Sequence, residues 1–273
     1  MDDATWSSAT PRARYILGLR AAEHAASCPL VFSHLSAAAI WGLPVLGLWQ
    51  SASVHVVMGI SSGGRSSRGI SRHGVAMELV VTHLVDGLIV TSVERTLIDL
   101  ATTTSFASAV MSFDFALGGR DPLTTKQRIR TEMERLALRR GRRRVEHVLD
   151  FAVQNSGSPG ESLSRARFFE LGFPAPKLQV EFVHHTGITD RVDFDWEEFE
   201  HIGEFDGLGK YRDPRLMSGL APEEVVIREK RREDRLRSKR PHFSRWEWAD
   251  ALEAHRLAAI LAEAGLPRSL DRR

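Results

Sequence analysis

The chain has 273 residues, of which 42% are hydrophobic and 26% are charged, a composition typical of a globular protein with one or two domains. Its single cysteine, Cys28, excludes an intrachain disulfide and, together with the lack of a signal-peptide pattern, predicts a cytoplasmic location. Residues 24–64 carry no Asp, Glu, Lys or Arg, but Gly42, Pro44 and Gly47 interrupt the most apolar part, so we expect no membrane-spanning helix.

Apolar periodicity and capping residues predict helices and strands throughout the first half of the chain. The loop Ser61–Gly69 lacks the Lys-Ser/Thr end of a phosphate-binding P-loop and joins two strands, so we interpret it as a hairpin loop and expect no nucleotide cofactor. In chain order the predicted elements are helix Arg12–Ala26, helix Ser33–Trp41, strands Val54–Met58, Ile70–His73, Glu78–Val85 and Leu88–Val90, a helix that Thr91 or Ser92 caps and that ends at Leu100, helix Phe106–Leu117, and a basic helical region Thr124–Phe151.

The composition changes at residues 152–160, where Gly, Ser, Asn and Pro predominate and predict a linker. We therefore expect one domain at residues 1–151 and another at residues 158–273. The order of elements in the second domain is helix, three strands, helix, strand, helix, and the whole chain falls in the mixed α/β (α+β) class. The elements are helix Glu161–Leu171, strands Lys177–Val183, Arg191–Trp196 and His201–Asp206, helix Pro222–Ser238, strand His242–Trp248 and helix Ala249–Gly265.

Charge is distributed unevenly, although the formal net charge is only +2. Residues 120–150 and 207–245 are predominantly basic, whereas residues 189–206 contain eight acidic side chains and one basic one. Carboxylates between two basic stretches suit a metal-dependent phosphodiester site, because the acids hold the cation and the basic flanks contact phosphates. An ordinary solvated surface has the same pattern, so both interpretations stay open.

Two predicted strands that follow each other carry most of these acids. Alternation places Asp193 and Asp195 on one face of the first strand, and Glu204 and Asp206 on one face of the second. Carboxylates this close repel each other unless a divalent cation lies between them. The sequence thus predicts a metal site at Asp193, Glu204 and Asp206, with an exposed acidic sheet face as the alternative. The same alternation predicts an apolar face formed by Val192, Phe194 and Trp196.

Several short motifs lie along the second domain. They are Ser-Pro-Gly-Glu at 158–161, Arg-Val-Asp-Phe-Asp-Trp at 191–196, Gly-Glu-Phe-Asp-Gly at 203–207, Lys-Tyr at 210–211, a charged run at 229–237 and Arg-Trp at 245–246. As a set they resemble the PD-(D/E)XK restriction-endonuclease-like domains, in particular the branch related to very-short-patch repair endonucleases. The resemblance implies an αβββαβ core and Mg²⁺-dependent hydrolysis of phosphodiester bonds in DNA.

The same resemblance implies roles for individual acids. Asp193 matches the metal-binding Asp of the second core strand, and Glu204 matches the acidic residue of the third. Glu161 matches the acidic residue of the first core helix, although Ser158 and Glu161 also fit a capping box at a helix start. The implied cofactor is Mg²⁺, bound by Asp193, Glu204 and Asp206.

The lysine that follows the third-strand acid in this family is replaced here by Asp206. In the family, that lysine polarises the attacked phosphate or helps to activate water. Lys210 or Lys230 is expected to supply this charge from a neighbouring position. The arginines expected to contact the DNA backbone are Arg139, Arg140, Arg142, Arg143, Arg144, Arg231, Arg232 and Arg235.

The first domain has two motifs of its own, Ser-His-Leu-Ser-Ala-Ala-Ala-Ile-Trp-Gly-Leu-Pro at 33–44 and the segment from Asp86-Gly87 to Ala101. They resemble the AbiEi-type antitoxins of type IV toxin–antitoxin pairs. The resemblance implies a cognate toxin as a partner. Family members usually begin with a DNA-binding winged helix, which we expect to be incomplete here.

The sequence leaves three functions open. The first is a toxin–antitoxin-associated protein whose nuclease-like domain binds DNA and cleaves it with Mg²⁺. The second is a non-catalytic antitoxin or transcriptional regulator that binds DNA or protein, and the third is a purely protein-binding module that uses the apolar segment Leu35–Trp49. A structural zinc site is not expected, because the chain has a single cysteine.

Overall fold

A computed structural model of the chain describes residues 7–47, 49, 53–60, 69–207 and 222–268. The chain divides into two units, Met1–Gln154 and Asn155–Arg273, and the division falls inside the segment whose composition predicts a linker. Each unit combines helices with a sheet of parallel and antiparallel strands, so the fold is mixed α/β, as expected. Within the described ranges, none of the helices has the length and apolar character needed to cross a membrane.

Capping residues mark the start of the first helix and the end of the second helix in the N-terminal unit. Thr10 accepts a hydrogen bond from the N–H of Ala13 (3.2 Å), and Gly42 ends the second helix in the left-handed conformation with φ = 78°. In chain order the elements are α1 (Pro11–Ala25), β1 (Val31–Phe32), α2 (His34–Trp41), β2 (Val54–Gly59), β3 (Ile70–Val75), β4 (Thr82–Val85), β5 (Leu88–Thr91), α3 (Val93–Thr103), α4 (Phe106–Leu117), α5 (Lys126–Arg135) and α6 (Arg142–Phe151).

The strands of this unit form one sheet in the order β3-β2-β1-β5-β4. The pairs β2–β3 and β1–β5 are parallel, whereas β1–β2 and β4–β5 are antiparallel. The central strand β1 has two residues and was not predicted, because so short a strand shows no period. Tyr15 and Leu19 of α1 pack with Phe32 of β1 in the core of this unit. The interpretation of Ser61–Gly69 as a hairpin loop is wrong, because the strands that it joins, β2 and β3, are parallel. Apart from its last residue, the loop itself lies outside the described residues.

The basic region predicted as one helix is divided into α5 and α6. Gly141 precedes α6 with φ = 79°, a left-handed conformation that glycine adopts without a steric penalty. A Cβ at Gly141 would also lie 2.6 Å from Cγ2 of Thr102. The five clustered arginines therefore occupy a turn and the first turn of α6.

The C-terminal unit contains the predicted order of elements. They are α7 (Pro159–Glu170), β6 (Lys177–Val183), β7 (Thr189–Trp196), β8 (His201–Asp206), α8 (Pro222–Arg237), β9 (His242–Glu247), α9 (Trp248–Leu252) and α10 (Ala254–Glu263). Its sheet has the order β6-β7-β8-β9, with β8 and β9 parallel and the other neighbours antiparallel. The last predicted helix is divided at Glu253, whose backbone is extended (φ = −97°, ψ = 93°).

Helices pack on both sides of the C-terminal sheet, and we name the two sides the α7 face and the α8 face after the helices α7 and α8. On the α7 face, Phe168 of α7 contacts the rings of Phe194, Trp196 and Trp246. On the α8 face, the cluster that contains Leu236 of α8 is built from Val192 and Ile202.

The predicted apolar face of β7 is therefore wrong. Val192 packs on the α8 face, whereas Phe194 and Trp196 pack on the α7 face. The strands β6 and β7 pair on both sides of Gln179 and Asp193 but not at these two residues, and Gln179 has φ = 53°. The alternation along β7 is therefore interrupted next to Asp193, opposite the positive-φ residue Gln179 of β6.

Candidate functional site

Glu161 lies in the first turn of α7 at the start of the C-terminal unit. Ser158 caps this helix, because its Oγ accepts a hydrogen bond from the N–H of Glu161 (3.2 Å), and Pro159 occupies the first helical position. The Glu161 carboxylate turns back and accepts a hydrogen bond from the N–H of Gly157 (2.9 Å). The capping interpretation of this motif is therefore correct for Ser158, and Glu161 is held at the helix start.

Gln179 of β6 joins Glu161 to Asp193 of β7. Its side-chain amide donates hydrogen bonds to Oε2 of Glu161 (2.7 Å) and to Oδ1 of Asp193 (3.2 Å). The N–H of Phe205 donates to Oδ2 of Asp193 (3.0 Å). A residue other than glycine with positive φ is uncommon, and at Gln179 this conformation accompanies the placement of one amide between two carboxylates.

The two carboxylates line an open cavity of about 400 Å³. The pKa of Glu161 is raised, first by burial and then by the charge of Asp193, although hydrogen bonds from Gly157, Ser158 and Gln179 oppose this. A hard divalent cation prefers oxygen ligands and would relieve the repulsion between the two acids, so the residues present fit such an ion. The other lining residues are Gly157, Ser158, Pro159, Gly160, Gln179, Arg191, Phe205, Gly207 and Trp248.

Glu204 is directed to the opposite side of the sheet. It shares the α8 face with Ile202, because alternate residues of β8 point the same way. Both terminal nitrogens of Arg232 in α8 donate to its carboxylate, and Nη2 of Arg245 donates to Oε2 (3.0 Å). Glu204 is thus buried in an ion pair with two arginines.

This placement corrects the expected three-carboxylate centre. Asp206 pairs with Arg245 (3.3 Å), and Asp193 lies with Glu161. In the part of the chain that the structure describes, Asp193, Glu204 and Asp206 do not form a group with oxygen atoms within 4.8 Å of one another. The sequence prediction failed here because it relied on unbroken alternation along β7.

Two further acids of the charged segment are also paired on the α8 face. Asp190 accepts two hydrogen bonds from Arg235 (2.8 Å each) and lies 3.0 Å from Nε2 of His184. Asp195 accepts hydrogen bonds from Nε and Nη2 of Arg240 (2.9 and 3.3 Å). The acidic segment is therefore largely neutralised within its own domain.

The basic residues expected in α8 have different positions. Arg232 and Arg235 are engaged by Glu204 and Asp190, so they are not exposed phosphate ligands in this arrangement. Arg231 is exposed. Lys230 is also exposed and is not among the described residues that line the cavity of Glu161 and Asp193. Lys210, the other candidate lysine, lies outside the described residues.

The five arginines of the N-terminal unit are all exposed. Arg142 forms an i,i+4 ion pair with Glu146 (2.8 Å), and Arg144 donates to the carbonyl groups of Thr102 (3.5 Å) and Thr104. The remaining members of the cluster are Arg139, Arg140 and Arg143.

A group of histidines that the sequence analysis did not identify lies in the N-terminal unit. His34, His55 and His73 each place one ring nitrogen within 4.8 Å of the others. Burial, with a smaller contribution from neighbouring charges, lowers the pKa of His34 to about 2 and that of His55 to about 4. These residues lie on three different elements and form no motif with a regular spacing. The pairing of β2 with β3 would have shown that His55 and His73 are neighbours, but a single sequence does not reveal strand pairing.

Comparisons with known proteins leave the function to be argued from these sites. No model of a protein family matches the chain, and no curated protein or solved structure matches it either. The resemblances to PD-(D/E)XK domains and to AbiEi-type antitoxins therefore stay predictions.

Proposed function

We propose that the C-terminal unit binds a divalent cation such as Mg²⁺ at Glu161 and Asp193 and hydrolyses phosphodiester bonds in DNA. The observation that carries this proposal is the meeting of the two carboxylates at Gln179 in an open cavity. The order αβββαβ, with one acid on the first helix and one on the second strand, agrees with what the resemblance to PD-(D/E)XK domains implies.

The donor set supports a hard cation. Glu161 and Asp193 supply carboxylate oxygens, which are ligands that Mg²⁺ prefers. A cation between them would replace the amide N–H of Gln179 that now bridges the two acids. A bound cation would polarise a phosphate oxygen and lower the pKa of a bound water. Arg191 also lines the cavity and offers a positive charge near an incoming phosphate.

The direct test is a cleavage assay with the full chain on single-stranded and double-stranded DNA, with Mg²⁺ or Mn²⁺ and with chelator. We expect metal-dependent cleavage that Asp193→Asn and Glu161→Gln each reduce about a hundredfold or more, a loss typical of essential groups in an active site. Glu197→Gln is the matched control, because Glu197 is an exposed acid of the same unit that pairs with Lys177. Equal cleavage by Asp193→Asn and the original chain would show that the activity is a contaminant.

The lysine question needs two further variants in the same assay. If Lys210 or Lys230 stabilises the charge that develops on the phosphate, its replacement by Ala lowers the rate about tenfold or more, which corresponds to about 1.4 kcal/mol. Full activity of both Lys210→Ala and Lys230→Ala would exclude a catalytic lysine at these positions.

A second candidate is a non-catalytic antitoxin or regulator that binds DNA or a protein partner such as a cognate toxin. It is favoured by the third strand, where Glu204 is engaged by Arg232 and Arg245 and where Asp206 takes the position of the family's lysine. The resemblance of the first unit to AbiEi-type antitoxins also supports this candidate.

The salt dependence of DNA binding tests whether the exposed arginines contact DNA, as the second candidate requires, or are only a solvated charged surface. Each phosphate contact contributes about 0.9 to the slope of log affinity against log salt concentration. Replacing Arg139, Arg140 and Arg143 by Ala should flatten that slope, and binding without cleavage would favour the regulator. An unchanged slope would show that these exposed arginines do not contact the nucleic acid.

A further inference from the structure

The histidine group of the N-terminal unit brings together three elements. His55 lies on β2 and His73 on β3, and the parallel register pairs His55 with Ser71 and Val57 with His73. Alternate residues of a strand share a face, so His55, Val57 and His73 project to the same side of the sheet. Nδ1 of His55 and Nε2 of His73 lie 3.0 Å apart, and the two rings are nearly parallel.

His34 completes the group from the first position of α2. Its ring stacks on that of His73 with centroids 3.7 Å apart and an angle of 14° between the planes. His34 has φ = 49°, a backbone conformation that costs a residue with a side chain about 1–3 kcal/mol. The surrounding structure thus holds this buried imidazole in place against a backbone penalty.

Asp99 of α3 provides an independent observation. Its side chain is 9% exposed, and Oδ1 accepts a hydrogen bond from Nε of Arg95 (2.9 Å). Oδ2 has no hydrogen-bond partner and lies 3.5 Å from Nδ1 of His34. A buried carboxylate oxygen without a partner is costly, so a native structure that contains one calls for an explanation.

Histidines that bind a metal commonly donate a hydrogen bond from their other ring nitrogen to a nearby carboxylate. The acid accepts the proton on one ring nitrogen and leaves the lone pair of the other for the metal. Nδ1 of His34 lies 3.0 Å from Oγ of Ser33 and 3.5 Å from Oδ2 of Asp99. A proton on Nδ1 would face both oxygens and would leave Nε2 with that lone pair. Metal binding polarises the ring and strengthens this contact, which would supply the partner that Oδ2 lacks.

We infer that His34, His55 and His73 bind a transition-metal ion of the zinc class, with Asp99 orienting His34. Imidazole nitrogens favour Zn²⁺, Cu²⁺, Ni²⁺ and Co²⁺, whereas Mg²⁺ and Ca²⁺ favour oxygen. Tetrahedral ligands at about 2.0–2.1 Å from a metal lie roughly 3.3–3.4 Å apart. Nδ1 of His55 and Nε2 of His73 are already near this separation, at 3.0 Å, so a metal would replace their hydrogen bond. The ring of His34, which stacks on His73, would turn so that its lone pair points to the same ion. Three protein ligands leave a fourth position for water.

An ion can reach this group from the surface. His55 and His73 are half-buried, so their side chains are in part accessible to solvent. This site differs from the structural zinc site that the cysteine count argued against, because all its ligands are histidines.

The test is a Co²⁺ titration of the full chain without a histidine tag, followed by visible absorption. Cys28→Ser is used as the background, because Cys28 is exposed and thiolates bind the same metals. We expect a saturable rise in visible absorption that corresponds to about one ion per chain in a site of low coordination number, and displacement of this ion by Zn²⁺. No saturable binding would overturn the inference.

Ligand variants decide whether the three histidines form the site. His55→Gln and His73→Gln should each weaken binding about tenfold or more, whereas Asp99→Asn should weaken it by roughly 10–100-fold with the stoichiometry unchanged. His24→Gln is the matched control, because His24 is an exposed histidine of the same unit. Unchanged affinity in the folded His55→Gln, His73→Gln double variant would also overturn the inference, and circular dichroism verifies the fold.

The outcome does not depend on the proposed nuclease site. Asp193→Asn, which should lower cleavage about a hundredfold or more, is expected to bind Co²⁺ at the histidine group with unchanged affinity. Loss of this binding in Asp193→Asn, with His55→Gln retaining it, would place the ion in the C-terminal unit instead.

Discussion

The two faces of the C-terminal sheet both carry buried acids, but the groups that surround these acids differ. On the α8 face, Glu204, Asp190 and Asp195 each accept hydrogen bonds from at least one arginine. On the α7 face, Glu161 and Asp193 share the neutral amide of Gln179. A dense run of acids in a sequence therefore does not by itself define a metal site, because the positions of the counter-charges decide which acids attract a cation.

The difference in counter-charge also distinguishes acids that stabilise the fold, on the α8 face, from acids that could bind a metal, on the α7 face. In a buried ion pair, the loss of hydration offsets much of the attraction between the charges, so the pair contributes little net stability. Removing one partner is nevertheless destabilising, because it leaves the other charge buried and unpaired. Glu161 and Asp193 share a neutral amide, and the repulsion between two neighbouring carboxylates is one that a divalent cation would relieve. We therefore expect the α8 face to respond to arginine loss and the α7 face to respond to cations.

The largest expected effect follows from breaking an ion pair on the α8 face. Arg240→Ala leaves Asp195, whose side chain is 3% exposed, without its guanidinium, and should lower the free energy of unfolding by about 3 kcal/mol. Urea unfolding followed by circular dichroism and Trp fluorescence measures this loss. Lys177→Ala is the control, because it breaks an exposed pair with Glu197 and should change stability little. Equal losses in both variants would contradict the structural role of the α8 face.

A change in packing should have a somewhat smaller effect on the α7 face. Gly203→Ala would place a Cβ 2.6 Å from Trp246 and 2.8 Å from Trp196, and overpacking of this kind costs about 1–3 kcal/mol. The same unfolding experiment applies. Gly18→Ala in α1 is the control, since a Cβ there meets no atom within 4 Å and alanine favours a helix. A stable Gly203→Ala variant would mean that the aromatic layer is looser than the structure indicates.

Removing the shared amide should destabilise the α7 face to a similar or smaller extent. Gln179→Leu leaves Glu161 and Asp193 without a common donor, which should cost about 1–3 kcal/mol in chelator. Added Mn²⁺ should recover part of this loss, because a cation would take over the neutralisation of the two acids. Thermal unfolding with and without Mn²⁺ measures both effects. If Gln179→Leu unfolds at the same temperature with and without Mn²⁺, Glu161 and Asp193 do not form a cation site.

The smallest expected effect is the acid sensitivity of one α8-face pair. A hydrogen bond from Arg235 lowers the pKa of Asp190, burial opposes this, and the charges of Arg235 and His184 lower it further. A carboxyl with a lowered folded-state pKa contributes stability above its unfolded pKa and loses it as the pH falls through the folded value. The stability difference between the original chain and Asp190→Asn should therefore shrink below about pH 4. A difference that is constant with pH would contradict the pairing.

The sequence predicted most helices and strands in their order, because periodicity and capping are local. Helix Phe106–Leu117 and strand His201–Asp206 have the predicted bounds, and Ser158 caps α7 as its motif indicates. The two-residue strand β1 has no period of its own, so it was missed. The division of the basic region at Gly141 depends on a left-handed backbone that other residues rarely adopt.

The sequence predicted only part of the candidate site, because contacts between residues far apart along the chain leave no local pattern. Glu161 and Asp193 were identified from motifs, but Gln179 was not, because its amide acquires a role only through the unusual backbone at that residue. The ion pair of Glu204 with Arg232 joins residues 28 positions apart, and no local pattern reports it.

The most direct test of the difference between the two faces is Mn²⁺ binding by the full chain, measured by electron paramagnetic resonance with three variants. Glu161→Gln and Asp193→Asn should each weaken binding about tenfold or more, because each removes a carboxylate ligand from the α7 face. Glu204→Gln, verified as folded by circular dichroism, should bind Mn²⁺ with the affinity of the original chain, because Arg232 and Arg245 already engage that acid. Loss of binding in Glu204→Gln, with binding retained in Glu161→Gln, would contradict the account.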